Sequence, residues 1–264
     1  MQRLDLQENR LRARLKRGGL FVFLDYDGTL VPIAGRPQDA RTPAATARLL
    51  KRLASLPGCR VAVVSGRALS DIRKRVGVGN VVYVGNHGYE MFIPGKGELD
   101  YAPPGYRAVL SGINRRITAG VKGIKGIICE DKRISLALHF RLADKRGTSL
   151  AKKVFRGAVA RAVNEGAAAV KKGKKVLEIL PPGRHNKGTA VKEILRGAGN
   201  VTPLYLGDDR TDEDAFRALK HRGITVYVGA KRASAAGYYL NSPREAVLFL
   251  RELRALRETS ICRS

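Results

Sequence analysis

The fold is decided by one apolar run and the acidic residues that follow it, Leu20-Phe21-Val22-Phe23-Leu24-Asp25-Tyr26-Asp27-Gly28-Thr29-Leu30. A second run, Leu204-Tyr205-Leu206, continues in the same way into Gly207-Asp208-Asp209-Arg210-Thr211-Asp212. Short apolar runs bounded by Gly and Asp are typical of buried strands in a parallel sheet. Both runs are therefore predicted to be strands whose carboxyl ends carry clustered carboxylates.

These clustered carboxylates predict a metal site. Groups at the carboxyl ends of parallel strands line the ligand crevice, so at least three acids are expected in one small space. Like charges that close together are costly unless a cation neutralises them. A hard divalent cation accounts for oxygen ligands of this kind, and Mg²⁺ fits best. The sequence therefore predicts an enzyme with Mg²⁺ as its cofactor.

Composition and charge narrow the class of protein. No apolar stretch reaches the roughly 18 residues of a membrane span, and the polar N-terminus lacks the apolar core of a signal peptide. Three widely spaced cysteines without metal-ligand spacing indicate ordinary thiols in a reducing compartment: Cys59, Cys129 and Cys262. We therefore expect a cytoplasmic protein with no membrane partner, and we expect a monomer.

The chain is strongly basic, with 50 Lys and Arg against 23 Asp and Glu and a formal net charge of +27. Such an excess raises nucleic acid as a partner. However, the aromatic content is only 6%, Trp is absent, and no nucleic-acid-binding signature is found. The favoured interpretation is a solvated basic surface that steers an anionic substrate.

Strands and helices alternate along most of the chain, which predicts a doubly wound, Rossmann-like α/β core with helices on both faces. We assign residues 1–19 to a basic helical arm and residues 20–102 and 183–264 to the core. Between two Pro-Pro-Gly sequences, residues 103–182 predict an inserted α+β cap with two hinges. The insert carries a net charge of +13 in 80 residues, against +14 in the other 184, which suits an anionic substrate.

The spacing of Asp25 and Asp27 suits phosphoryl transfer. A carboxylate nucleophile forms an aspartyl-phosphate, and a second acid protonates the leaving oxygen and later deprotonates water. The alternative is a plain Asp-rich turn, and this motif alone does not decide. Ser65 and Lys187 are weak candidates for holding phosphoryl oxygens. Each has an ordinary alternative, because Ser65 also suits a routine helix start and Lys187 also suits a surface lysine.

These motifs, in this order at strand ends, resemble those of the haloacid dehalogenase-like (HAD) phosphohydrolases, and more narrowly trehalose-6-phosphate phosphatases. The resemblance covers nearly everything after residue 19. The narrower likeness rests on Pro32-Ile33, on Gly85-Asn86-His87-Gly88-Tyr89-Glu90 and on Asp212-Glu213-Asp214-Ala215-Phe216. It implies a Mg²⁺-dependent phosphatase that converts trehalose 6-phosphate and water to trehalose and phosphate.

The resemblance also implies a role for each matching residue. Asp25 would be the nucleophile and a Mg²⁺ ligand, and Asp27 the acid/base and a ligand through its backbone carbonyl. Ser65 and Lys187 would hold the phosphoryl oxygens. Asp208 would be the third protein ligand. Asp209 or Asp212 would support either the water molecule bound to the metal or the side chain of Lys187.

A disaccharide presents many hydroxyls, so its site needs acids, amides and donors. The residues expected to contact the sugar from the core are Arg67, Asn86, His87, Glu90 and Asn186. Those expected from the cap are Lys132, His139, Arg141 and Glu178. Two have alternative interpretations, because His87 suits a turn and His139 suits a satisfied core histidine.

Two other functions stay open at this point. The first keeps the chemistry and changes the substrate to another sugar phosphate, of the sucrose phosphate or mannosylglycerate phosphate type, since the core motifs do not separate these substrates. The second, more remote, is a nucleic-acid-binding protein on a hydrolase scaffold. Salt-sensitive retention on DNA or RNA without Mg²⁺-dependent turnover would support it.

Overall fold

The run Leu20–Leu24 lies in the central strand of the larger of two sheets in the computed structural model. The structure describes residues 1–173, 175–183 and 185–261, so that Cys262, expected to be an ordinary thiol, lies outside the described residues. The chain divides into two compact units, one of Met1–Leu99 and His185–Ser264 and the other of Asp100–Arg184.

The bounds of the strands and helices are as follows. The strands are β1 (Gln2–Arg3), β2 (Gly19–Asp25), β3 (Cys59–Val64), β4 (Val82–Gly85), β5 (Glu90–Ile93), β6 (Gly97–Asp100), β7 (Ile128–Asp131), β8 (Leu136–His139), β9 (Ala169–Gly173), β10 (Val176–Leu180), β11 (Val201–Gly207), β12 (Ile224–Val228) and β13 (Tyr238–Leu240). The helices are α1 (Asn9–Lys16), α2 (Ala44–Ser55), α3 (Leu69–Val76), α4 (Tyr106–Val121), α5 (Lys145–Asn164), α6 (Lys187–Arg196), α7 (Glu213–Leu219) and α8 (Pro243–Ile261). Short 3₁₀ turns lie at Pro37–Asp39 and Asn86–Gly88.

The large sheet has the strand order β1-β13-β12-β11-β2-β3-β4-β5-β6. In this order, each strand from β1 at the edge as far as β4 is parallel to its neighbour, and β5 is antiparallel to β4. The order reverses at β2, which lies between β11 and β3. A reversal of this kind is the topological switch point at which open α/β sheets bind ligands. The predicted doubly wound core is therefore confirmed.

Both faces of β2 are buried, which explains why its apolar run is continuous. Leu20, Val22 and Leu24 belong to the core cluster that also contains residues of α1, α2 and α8. On alternate positions Phe21 and Phe23 stack with their ring centroids 4.5 Å apart. These rings continue the packing toward β11 and α7. Strands covered on both faces lose the polar alternation of a half-exposed strand.

The first residues of the chain differ from the predicted helical arm. Gln2 and Arg3 form β1, which pairs with β13, and the helix begins only at Asn9. The reason lies in the apolar spacing, because Leu4 and Leu6 are two positions apart whereas Leu11 and Leu15 are four apart. All four leucines are buried, so this segment is part of the larger unit.

Arg257 of α8 fastens the N-terminal helix. Its side chain is buried, and its guanidinium donates to the carbonyl oxygens of Leu15 at 3.3 Å, Lys16 at 2.9 Å and Gly18 at 2.9 Å. These carbonyls lie at the C-terminal end of α1 and just beyond it, where helices leave acceptors unsatisfied. The hydrogen bonds therefore hold the first helix and the last helix together.

Replacing Arg257 with Leu should destabilise the protein. Loss of the guanidinium leaves buried carbonyl groups unpaired, at a cost of about 2–3 kcal/mol, which corresponds to a fall in the unfolding midpoint of roughly 5–10 °C. Thermal unfolding followed by circular dichroism measures the change. The matched control is Arg251→Ala on the exposed side of the same helix, and equal midpoints for the two variants would contradict this role for Arg257.

The smaller unit combines α4 and α5 with an antiparallel sheet of strand order β7-β8-β10-β9. Leu136 and Leu138 of β8 and Ile179 of β10 pack in one core with Ile113 of α4 and Phe155 of α5. The unit has its own apolar core, as an α+β domain requires.

One turn of the smaller unit differs from the sequence prediction. The sequence pattern predicts two antiparallel strands over residues 126–130 and 133–141 that meet at a Glu130-Asp131-Lys132 turn. In the structure β7 continues through Asp131, and residues 132–135 form the loop, with Arg133 at a φ of +73°. Ile134 and Ser135 are fully buried in this loop, so their burial and not their strand propensity decides its position.

Among the described helices, none combines the length and apolar character of a membrane span.

Candidate active site

The register of the central strands places three motifs at one edge of the large sheet. Asp25 is the last residue of β2 and pairs with Val64 of β3, so that Ser65 follows immediately. On the other side of β2, β11 ends at Gly207, directly before Asp208. Parallel neighbours carry their carboxyl ends to the same edge. Residues far apart in sequence therefore meet there.

Lys187 lies among these acids. Its Nζ atom is 2.6 Å from Oδ1 of Asp25 and 2.8 Å from Oδ1 of Asp212, and the side chain is only 3% exposed. Burial alone would lower the pKa of Lys187, but the two carboxylates outweigh burial and raise it. The lysine is therefore a fixed positive charge at the end of β2.

The N-terminus of α6 holds Lys187 in place. Asn186 caps this helix, because its side-chain oxygen accepts a hydrogen bond from the backbone N–H of Thr189 at 2.9 Å. The Thr189 hydroxyl in turn accepts from the N–H of Asn186 at 2.9 Å, which completes a capping box. The Asn186 side chain therefore has a structural role as the cap of α6, and its predicted contact with the sugar stays a prediction.

Asp212 is fully buried and has all its oxygens engaged. Oδ1 accepts from Lys187 and from the hydroxyl of Tyr205 at 2.7 Å, and Oδ2 accepts from the N–H groups of Asp208 and Asp209 at 3.1 and 3.0 Å. These bonds suit the predicted orienting role, since they fix both the lysine and the loop that carries Asp208. Tyr205 was missed in the sequence; the available signal was a hydroxyl in a buried strand, which needs a partner.

Asp25, Asp208 and Asp212 form the acidic cluster, in which one carboxylate oxygen from each residue lies within 4.8 Å of the other two. Burial, together with Asp212 and Asp208, raises the pKa of Asp25 well above its usual range. Burial and the charge of Asp212 raise the pKa of Asp208 to about 7. The structure thus concentrates more negative charge than one lysine balances.

The acidic cluster fits a hard divalent cation. Its donors are all carboxylate oxygens, the ligand type that Mg²⁺ prefers. Oδ1 of Asp208 is buried, and it has no hydrogen-bond partner among the described residues. Asp25 and Asp208 are the residues whose side chains would hold the ion, because Asp212 is already engaged. The predicted contribution of the Asp27 carbonyl stays a prediction.

Gly28 permits the close approach of the first and last motifs. Its φ is +88°, and a Cβ atom at this position would lie 2.0 Å from Oδ2 of Asp208. Its N–H also donates to the carbonyl of Val31 at 2.7 Å, closing the turn. A side chain would therefore be strained and would displace Asp208.

The Asp27 carboxylate is bound by Arg67. Nε and Nη2 of Arg67 donate to the two carboxylate oxygens, each at 2.7 Å, and Nη1 donates to Asp71 at 3.1 Å. The N–H of Arg67 also donates to Oγ of the buried Ser65 at 3.1 Å. The structure thus brings the predicted acid/base together with a residue that was predicted to contact the sugar.

Asn86 and Glu90 form a second buried pair. The Asn86 amide donates to Oε2 of Glu90 at 2.6 Å, and the same oxygen accepts from the N–H of Leu69 at the start of α3 at 3.0 Å. His87 has a φ of +59°, as expected for a turn residue, and its ring lies against Gly66. The amide nitrogen of Asn86 and Oε2 of Glu90 are therefore engaged within the fold. Substrate contact by Asn86, His87 and Glu90 stays a prediction.

In the smaller unit, several predicted residues share one face of the sheet. Glu178 pairs with Ala137, and Ala137 pairs with Glu130, so these residues lie side by side, opposite the apolar face. His139 lies two positions after Ala137 on β8, and its Nε2 atom is 2.8 Å from Oε2 of Glu130. Glu178 accepts from Lys132 at 2.8 Å.

Glu178 and Lys132 are buried, and Oε1 of Glu178 also accepts from the hydroxyl of Ser135 at 3.2 Å, so substrate contact by the predicted residues of this unit stays a prediction. Arg141, the remaining residue predicted from this unit, follows β8 and is exposed.

The doubly wound sheet of the larger unit, with acids and a lysine at its switch point, has a haloacid dehalogenase-like fold. A haloacid dehalogenase-like hydrolase from Bacteroides thetaiotaomicron shares this fold at a TM-score of 0.63 with 15% identity, covering 90% of this chain and 100% of that chain. The predicted fold class is thereby confirmed.

The chain belongs to the trehalose-phosphatase family, whose model matches residues 23–244. The trehalose-phosphate phosphatase of Mycobacterium avium (strain 104) is 37% identical over 247 residues, which are 88% of this chain and 61% of that protein. This chain therefore spans about three fifths of the length of that relative. The C-terminal domain of the C. albicans trehalose-6-phosphate phosphatase superposes with a TM-score of 0.81 and 26% identity, covering 96% of this chain and 98% of that chain.

Replacing Gly28 with Ala should destabilise the protein by roughly 2–4 kcal/mol, because the positive φ is strained and the new methyl group displaces Asp208. Gly35→Ala in the same loop is the matched control, since a Cβ there meets nothing within 4 Å. Urea unfolding of both variants measures the difference. Equal stability of the two variants would show that the loop readily absorbs the change.

Proposed function

We propose that this protein hydrolyses trehalose 6-phosphate to trehalose and phosphate. The observation that carries the proposal is the contact of Lys187 with Asp25 at the end of β2, with Asp208 beside them, in a chain of the trehalose-phosphatase family. A carboxylate next to a fixed cation suits attack on a phosphate ester, because the cation attracts the phosphoryl group that the carboxylate attacks.

The proposed reaction has two steps. In the first, an oxygen of Asp25 attacks phosphorus, the bond from phosphorus to the sugar oxygen breaks, and Asp27 gives a proton to that oxygen. In the second, Asp27 takes a proton from water, which attacks the aspartyl-phosphate and releases phosphate. Asp25 is then a carboxylate again, and Asp27 is again protonated.

Lys187 and the hydroxyl of Ser65 would hold the phosphoryl oxygens during both steps. Lys187 also favours the ionised form of Asp25, which burial and the neighbouring acids oppose. Mg²⁺, held by Asp25, Asp208 and the Asp27 carbonyl, would neutralise the acidic cluster and the charge of the phosphoryl group. Asp212 would keep Lys187 and Asp208 in place.

Recognition of the sugar is assigned to the predicted polar residues of both units other than Arg67, whose guanidinium is bound to Asp27 and Asp71. The acids and donors on the polar face of the small sheet support this assignment, because a disaccharide offers hydroxyls and no charge beyond its phosphate. The net charge of +27 would attract the anionic substrate from solution. We further propose that the cap closes over the bound sugar and excludes water, and that the protein acts as a cytoplasmic monomer.

Phosphate release from trehalose 6-phosphate, measured beside sucrose phosphate and mannosylglycerate phosphate, tests the proposal. We expect preference for trehalose 6-phosphate, loss of turnover with EDTA, and recovery with Mg²⁺. Asp25→Asn removes the nucleophile and should abolish turnover, whereas Asp39→Asn, which alters an exposed acid, should not. Preference for another sugar would keep the chemistry and replace the substrate; no turnover of any ester would contradict the proposal.

Binding of Mg²⁺ should stabilise the folded protein even without substrate, because a ligand that binds only the native state raises the unfolding midpoint. We expect a rise of several degrees at millimolar Mg²⁺, on the order of 2–3 kcal/mol of linkage. Asp208→Asn should lose most of this rise and Asp39→Asn should keep it, in thermal scans with and without EDTA. An equal rise for all three proteins would place the ion elsewhere.

A further inference from the structure

Arg67 is held on several sides. Its guanidinium forms two hydrogen bonds with Asp27 and one with Asp71, and it lies over the ring of Tyr26 at 5.5 Å from the centroid. The side chain is only 8% exposed. A guanidinium that matches a carboxylate with two parallel bonds fixes the orientation of that carboxylate as well as its charge.

Asp71 connects this guanidinium to the body of the larger unit. Its Oδ2 atom accepts from Nη1 of Arg67 and from Nε of Arg75, the latter at 2.7 Å. Arg75 also donates to the carbonyls of Gln38 and Ala40, in the segment that follows the first motif. Burial opposes ionisation of Asp71, but the hydrogen bonds from both arginines outweigh it, so its pKa is lowered. A charged Asp71, in the first turn of α3, therefore holds Arg67 in place.

We propose that Asp71 is a positioning residue, which holds Arg67 and through it sets the Asp27 carboxyl group for proton transfer to the leaving oxygen. The inference rests on the proposed function and assigns to Arg67 a different role from sugar recognition. When Asp27 is ionised, both its oxygens accept from Arg67. When Asp27 carries the proton, one oxygen still accepts from Arg67, and Asp71 and Tyr26 keep the guanidinium in place.

The consequence depends on the leaving group. A sugar alkoxide is strongly basic and needs a proton as it departs, whereas p-nitrophenolate departs readily without one. The value of kcat/KM covers only the steps through departure of the leaving group, so it isolates the acid role of Asp27. A misplaced Asp27 should therefore affect a sugar phosphate far more than p-nitrophenyl phosphate.

The experiment compares kcat/KM for p-nitrophenyl phosphate with kcat/KM for the sugar phosphate that the wild type hydrolyses best. Asp71→Asn keeps the size of the side chain and removes its charge. We expect about a tenfold or greater loss with the sugar phosphate and a loss of less than about threefold with p-nitrophenyl phosphate. Arg67→Lys, which keeps the charge and loses the paired hydrogen bonds, should show the same selective loss, and circular dichroism confirms that each variant is folded.

Glu98→Gln is the matched control. It removes the exposed pair of Arg73 and Glu98, which involves the same helix but not Asp27, and should leave both substrates unaffected. Equal losses of Asp71→Asn on both substrates would indicate a structural role only and overturn the inference, as would no loss at all. A wild type that hydrolyses neither ester would instead overturn the proposed function, and the inference with it, before any variant is compared.

Discussion

The interaction on which the site depends is the contact of one buried lysine with two buried carboxylates. Lys187 touches Asp25 and Asp212 in a place where none of the three reaches much solvent. Removing a charge from such a group leaves another uncompensated, which is far more costly than loss of a surface ion pair. The lysine therefore offsets part of the negative charge at the strand ends, and the divalent cation proposed above would offset the rest.

The rest of the larger unit serves to bring these charges together. A parallel sheet ends its strands at one edge, and the aromatic packing behind β2 and β11 keeps that edge rigid. Tyr205 belongs to both parts, because its ring packs against Phe23 and Phe216 while its hydroxyl donates to Asp212. The helices contribute through their first residues: α6 begins with Lys187, and the N–H of Leu69 at the start of α3 is bound by Glu90.

Several of the predicted polar residues already have partners within their own unit. Arg67 and Asn86 are buried, and their side chains donate hydrogen bonds to carboxylates of the larger unit. Glu178 of the smaller unit is as buried as Arg67, and it accepts from Lys132 and Ser135. The partners that a side chain already has therefore matter as much as its residue type for whether it orients its neighbours or meets a ligand.

The sequence by itself determined the class of fold and the strands that carry the acids, because these features depend on local spacing, and an apolar run that ends in Asp can be recognised within ten residues. Lys187 by itself looks like a surface lysine, and only the order of all the motifs singled it out. Only the tertiary structure decided which side chains already have partners. Arg67 meets a carboxylate 40 residues earlier, and Arg257 meets carbonyls more than 230 residues earlier, and hydrogen bonds over such separations leave no periodicity in the chain.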